Sequence, residues 1–163
     1  MSHITLVVFL AYALAAPVFA SEPIMFKGSE RKEDILRIEV QLPANAGYVR
    51  ESLRLSLKDL QLPEGADGAR VFIAPPDGSM PSPSSAFLIG SVGIPKSKGH
   101  VAGHSTSGSL SLGPALERVG QIRSADSLAK GSLELLVQPY ASTSAPRGAP
   151  KVGRASVNVE TPL

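Results

Sequence analysis

The chain has 163 residues, sixteen Lys and Arg against fourteen Asp and Glu for a net charge of +2, and no cysteine. The missing cysteine excludes disulfides, thiolate metal sites, blue-copper centres and thiol nucleophiles together. Scattered charge, no tryptophan and only five Phe and three Tyr argue against a phosphate-binding stripe or a stacking platform for nucleic acid.

Residues 1–20, MSHITLVVFLAYALAAPVFA, predict a secretory signal. The apolar run at 4–16 falls short of the roughly 20 residues a spanning helix needs. Pro17 breaks it, and Val18-Phe19-Ala20 offers the small-residue pattern cut by signal peptidase. The segment before the run carries His3 but neither Lys nor Arg, so an uncleaved N-terminal anchor is the alternative. The expected location is periplasmic or secreted, and a cysteine-free exported chain suits a bacterial envelope. Residues 21–34 read as a polar N-terminal arm, with acids and bases alternating in KGSERKEDILR at 27–37, and residues 35–163 as one β-sandwich domain.

Regular patterning begins at Leu36. In LRIEV, Leu36, Ile38 and Val40 alternate with Arg37 and Glu39, the period of a half-buried strand, and Pro43 ends it. SLRLSLKDL puts Leu53, Leu55 and Leu57 on one side and Ser52, Arg54, Ser56 and Lys58 on the other. A helix would spread those leucines around its circumference, so a strand is predicted despite leucine's modest strand preference. LPEGADG at 62–68 is turn chemistry, and Val71-Phe72-Ile73-Ala74 reads as a strand buried on both faces. Prolines and a glycine make 75–85 a long loop. AFLIGSVGI at 86–94 is a strand whose Gly90 and Gly93 mark a bulge or a close backbone approach.

Residues 95–108 read as a mobile Gly/Lys/His loop, followed by a brief strand at Leu110 and Leu112. Gly113-Pro114 then opens a short helix, PALERVG, bounded by Gly120. Leu133, Leu135 and Val137 alternate in a strand closed by Pro139, residues 142–150 form a loop, and Ala155, Val157 and Val159 alternate in the last strand. The sum is an all-β fold: an antiparallel β-sandwich or jelly-roll barrel of about seven strands with one short helix.

Chemistry-bearing residues are sparse. His100 and His104 in GHVAGHSTSG have a spacing that would put two imidazoles on one face of a helix for zinc or copper. Gly99, Gly103 and Gly108 oppose a helix there, and His3 leaves with the signal. A metal site on His100 and His104 would need Asp77, Glu117 or Met80 to complete it, so two exposed loop histidines is the favoured reading. Copper carriage by methionine clusters has only the isolated Met25 and Met80 to draw on. Ser109 and Ser111 lie in polar stretches with no Gly-x-Ser-x-Gly elbow, and a glycine loop positions a histidine poorly for catalysis. These readings predict a non-enzyme without a resident cofactor, copper or zinc on His100 and His104 being the metal-handling alternative.

From residue 53 to residue 160 the order of segments resembles the C-terminal β-domain of the tyrosinase and polyphenol oxidase family. LRLSLKDLQLP is similar to its opening strand and Pro-bearing turn, VFIAPPDG to an apolar strand with an acidic turn, and SSAFLIGSVGI to its central strand. GHVAGH is similar to a glycine-histidine loop, LSLGPALERVG to a strand and short helix, and SLELLVQP with VGRASVNVE to the last two strands. The family's Lys-Phe-Asp-Val signature does not occur, and the resemblance does not reach the di-copper domain with its six copper-binding histidines. It therefore implies a fold and a role, not an activity. In the family this domain packs against the copper domain and can cover its active site. The implied function is an exported accessory or protein-binding β-domain, its loops at 75–85 and 95–108 contacting a partner, and a separate tyrosinase-like copper oxidase is the candidate.

Overall fold

A computed structural model describes residues 27–28, 31–43, 52–94, 105–120 and 131–160. The described strands are β1 (Lys27–Gly28), β2 (Leu36–Gln41), β3 (Leu53–Gln61), β4 (Gly68–Ile73), β5 (Leu88–Gly93), β6 (Ser105–Ser111), β7 (Ser132–Ala141) and β8 (Arg154–Val159). A 3-10 turn at Lys32–Asp34 precedes β2, and one helix, α1 (Gly113–Gly120), follows β6. One sheet runs β1-β7-β4-β5, with β2 also pairing β7, and the other runs β6-β3-β8. Every pairing is antiparallel. Among the described residues the two sheets stack without hydrogen-bonding to each other, so the architecture is an antiparallel β-sandwich and not a closed barrel.

Alternation decides what lies between the layers. Leu53, Leu55, Leu57 and Leu60 of β3 are fully buried and meet Ala69, Val71 and Ile73 of β4 and Leu133, Leu135 and Val137 of β7. Ala115, Leu116 and Val119 of α1 close one end of this core. Burying such side chains contributes on the order of 1.5–3 kcal/mol each, enough to hold a fold without staples. Between Leu57 and Leu60 the register with β6 shifts by one, and Asp59 takes a φ of 54°. The extra residue lets Leu60 point inward three positions after Leu57, as a bulge does. β4 is buried at every position, as its unbroken apolar run predicts.

Three segments depart from the sequence reading. The loop assigned to 95–108 ends early, because Ser105–Ser111 is a strand of seven residues and not a brief one. Leu55, Leu57 and Leu60 of β3 supply the burial, so β6 needs only Leu110, Gly108 and Thr106 opposite them. Its serines at 105, 107, 109 and 111 alternate away from the core by the two-residue period. β7 also runs through Pro139 to Ala141. Even-numbered residues of β7 bond to β4, as Ala74 N–H donates to Glu134 O at 2.9 Å; odd-numbered ones face β2, as Leu42 N–H donates to Gly131 O at 2.8 Å. The missing N–H of Pro139 thus points where the β2 side has already turned into the 3-10 turn, a place where a sheet tolerates proline. Finally, Lys27–Gly28, from the stretch read as an arm, pair with Tyr140 and Ala141 of β7.

Candidate functional site

The outer face of the five-stranded sheet carries the most unusual chemistry. Gly68, Arg70 and Phe72 of β4 stand opposite Tyr140, Gln138 and Leu136 of β7, and Ser91 of β5 stands opposite Arg70. Arg70 is only 9% exposed and Gln138 only 7%. Charged side chains are seldom so buried, and here an aromatic partner explains it: the Arg70 guanidinium lies 4.9 Å above the centroid of the Tyr140 ring. The phenol in turn lies flat on Gly68, where a Cβ would come within 2.6 Å of its hydroxyl. Burial pushes the pKa of Arg70 down from its ordinary value and Tyr140 opposes the shift; an arginine nonetheless stays charged at any physiological pH. This cluster was not singled out from the sequence. Its signal was Arg70 inside GARVFIA, a lone cation in an apolar strand.

Beyond Phe72 the face becomes apolar. Phe72, Ile35, Ala74 and Leu136 form a second buried cluster, with Met80 and Leu88 packed against it. The proline-rich loop at 75–87 thus folds onto the sheet, with Met80 packed against this cluster. Asp77 is exposed in the same loop, and its Oδ1 accepts the Ser79 N–H at 2.9 Å. A hydrogen bond from the Ser79 side chain, and after it that backbone bond, holds the Asp77 carboxyl below its usual range. The loop reaches the helix through Arg118, whose Nη2 donates to Leu88 O at 2.6 Å and Nε to Ala86 O at 3.3 Å. The neighbouring 142–150 loop is pinned at both ends. Ser142 N–H donates to Asp67 Oδ2 at 2.6 Å, and Gly148 N–H, at a φ of 101°, donates to Asp34 Oδ1 at 2.7 Å. Both loops are held on a rigid sheet, the arrangement that suits recognition.

His100 and His104, like His3 and Met25, lie outside the described residues. Glu117 is exposed on α1, and Ser109 and Ser111 lie in β6 with their alternation turned away from the core. Among the described residues no three His, Asp or Glu side chains converge on a point that could hold a metal ion. No described helix is long and apolar enough to cross a membrane.

The architecture defines a two-layer antiparallel β-sandwich, and solved structures share it. A recombinant latent aurone synthase, a polyphenol oxidase, matches with a TM-score of 0.53 and 16% identity over 82% of this chain and 26% of its own. The same enzyme from its natural source matches with a TM-score of 0.53 at 17% identity, again over 82% of this chain and 26% of its own. Latent apple tyrosinase matches with a TM-score of 0.53 at 14% identity, over 84% of this chain and 28% of its own. The chain therefore has the fold of a part of these oxidases and spans about a quarter of their length. No protein-family model matches the sequence, and no curated protein sequence matches it.

Proposed function

We propose that this chain is an exported, non-catalytic accessory domain that binds a protein partner, and that the partner is a tyrosinase-like copper oxidase. One observation carries the reading: more than four-fifths of the chain takes the fold of about a quarter of the polyphenol oxidases, each of which is described as latent. A β-sandwich of this kind, supplied in trans, would act by covering the oxidase rather than by chemistry of its own. The pinned loops at 75–87 and 142–150 support this role, because contact residues on a rigid scaffold lose little entropy on binding.

The test is calorimetric titration of the purified chain into a tyrosinase-like di-copper oxidase. Saturable one-to-one binding is expected, with no phenol oxidation by the chain alone in the presence of copper. Absence of binding at several salt concentrations, or oxidation by the chain itself, overturns the proposal.

A further inference from the structure

The three-stranded sheet ends in an edge whose chemistry is self-complementary. β8 pairs with β3 in unbroken register from Leu53 with Val159 to Lys58 with Arg154, and Glu160 N–H extends the ladder by donating to Ser52 O at 2.7 Å. Even-numbered residues of β8 therefore bond to β3, and the backbone groups of Ala155, Val157 and Val159 point away from it. Among the described residues these three outward groups meet no backbone partner. An open edge is normally blunted by proline, a bulge or an inward charge. β5, an edge of the other sheet, has a register shift at Ile89. β8, RASVNV, has none of these, and Val159 at its end is the one large apolar side chain exposed among the described residues, at 37%.

Charge supplies the second observation. Lys58 stands directly opposite Arg154, like charges on adjacent strands, and neither makes an ion pair among the described residues. Such a pair is unfavourable unless an acid joins it. Glu160 lies at the other end of the same strand, with its Oε2 accepting the Arg54 Nε–H at 2.6 Å.

We infer that β8 is the interface of a symmetric dimer, two copies pairing antiparallel about Val157 to make one continuous six-stranded sheet. In that register Ala155 meets Val159, Ser156 meets Asn158, and Arg154 meets Glu160 of the second copy, twice by symmetry. The outward backbone groups of residues 155, 157 and 159 are the ones that bond across such an axis. Each Glu160 arrives beside the Lys58–Arg154 pair, and each Val159 is covered. This inference is independent of the oxidase proposal.

Sedimentation of the chain from micromolar to millimolar concentration, as an exporting host processes it, tests this. The wild type is expected to dimerise reversibly. Arg154→Glu alone and Glu160→Arg alone each place like charges at both symmetric contacts and weaken the dimer about tenfold or more. An equal mixture of the two variants restores opposite charges at both contacts, as does the double exchange, and both recover wild-type association. A shared thermal midpoint confirms that these exposed substitutions leave the fold intact. Hydrogen exchange gives a second readout: the amides of Ala155, Val157 and Val159 are protected only at dimer concentrations. A wild type that stays monomeric at millimolar concentration, single variants that associate like wild type, a mixture that does not recover, or protection that persists in the dilute monomer would each overturn the dimer.

Discussion

Replacing Gly108 with alanine probes the packing of one sheet on the other. Gly108 lies in β6 in ordinary extended backbone, and a Cβ there would sit 2.7 and 2.9 Å from the two methyl groups of Val92 in β5. Carbon atoms in comfortable contact are about 3.5–4.0 Å apart, so the added methyl overlaps Val92 by roughly an ångström. Val92 is buried in the main core and has little room to yield. Overpacking of this kind costs about 1–3 kcal/mol. Val92→Ala alone removes two methyl groups and leaves a gap, a loss of about 2 kcal/mol. In the double variant the alanine at 108 enters the vacated space. The pair should therefore be less destabilised than the sum of the singles by at least about 1 kcal/mol. Urea denaturation of the four proteins, with unchanged slopes, gives the cycle directly. Additivity to within about 0.5 kcal/mol would mean that residues 92 and 108 do not touch, and the stacking of β5 on β6 would be wrong.

Arg70→Ala removes the guanidinium from the Tyr140 ring and should lower stability by about 1–2 kcal/mol in the same urea assay. Arg70→Lys should recover only part of that loss, because an ammonium does not stack. The Asp77 carboxyl should titrate, by NMR, below the ordinary aspartate value of about 3.9. Because its folded pKa is depressed, its turn-stabilising effect is present above the unfolded pKa and lost as pH falls through the folded one; Asp77→Asn should abolish that dependence. His100→Ala with His104→Ala should leave copper and zinc binding, followed by calorimetry, as weak as in the wild type; a large loss of affinity would favour metal handling over partner binding.

Much of the sandwich was legible because alternation is a direct consequence of strand geometry. Leu53, Leu55 and Leu57 could face one layer only as a strand, and the unbroken run of Val71, Phe72 and Ile73 required burial on both faces. What escaped depends on neighbours distant in sequence. Ser105–Ser111 has little strand preference of its own, and becomes a strand because the leucines of β3 stand ready beside it. Pro139 looked like a terminator, since the gap between β1 and β2 that accommodates it cannot be read from local chemistry. The inward turn of Leu60 depends on the bulge at Asp59, a position where glycine would have been the usual signal. Arg70 was passed over because its partners come from β7, some seventy residues away. Segment order pointed to the polyphenol oxidase fold even though identity is only 14–17%. Loop order and apolar period persist where residue identities do not.

The proposal that this domain acts by covering a copper oxidase is tested most directly by the oxidase's own rate. Phenol oxidation by a tyrosinase-like di-copper enzyme should fall as the chain is added, with a midpoint equal to the calorimetric Kd, and should recover when the complex is dissociated. An enzyme saturated with the chain yet turning over at its full rate would contradict the account.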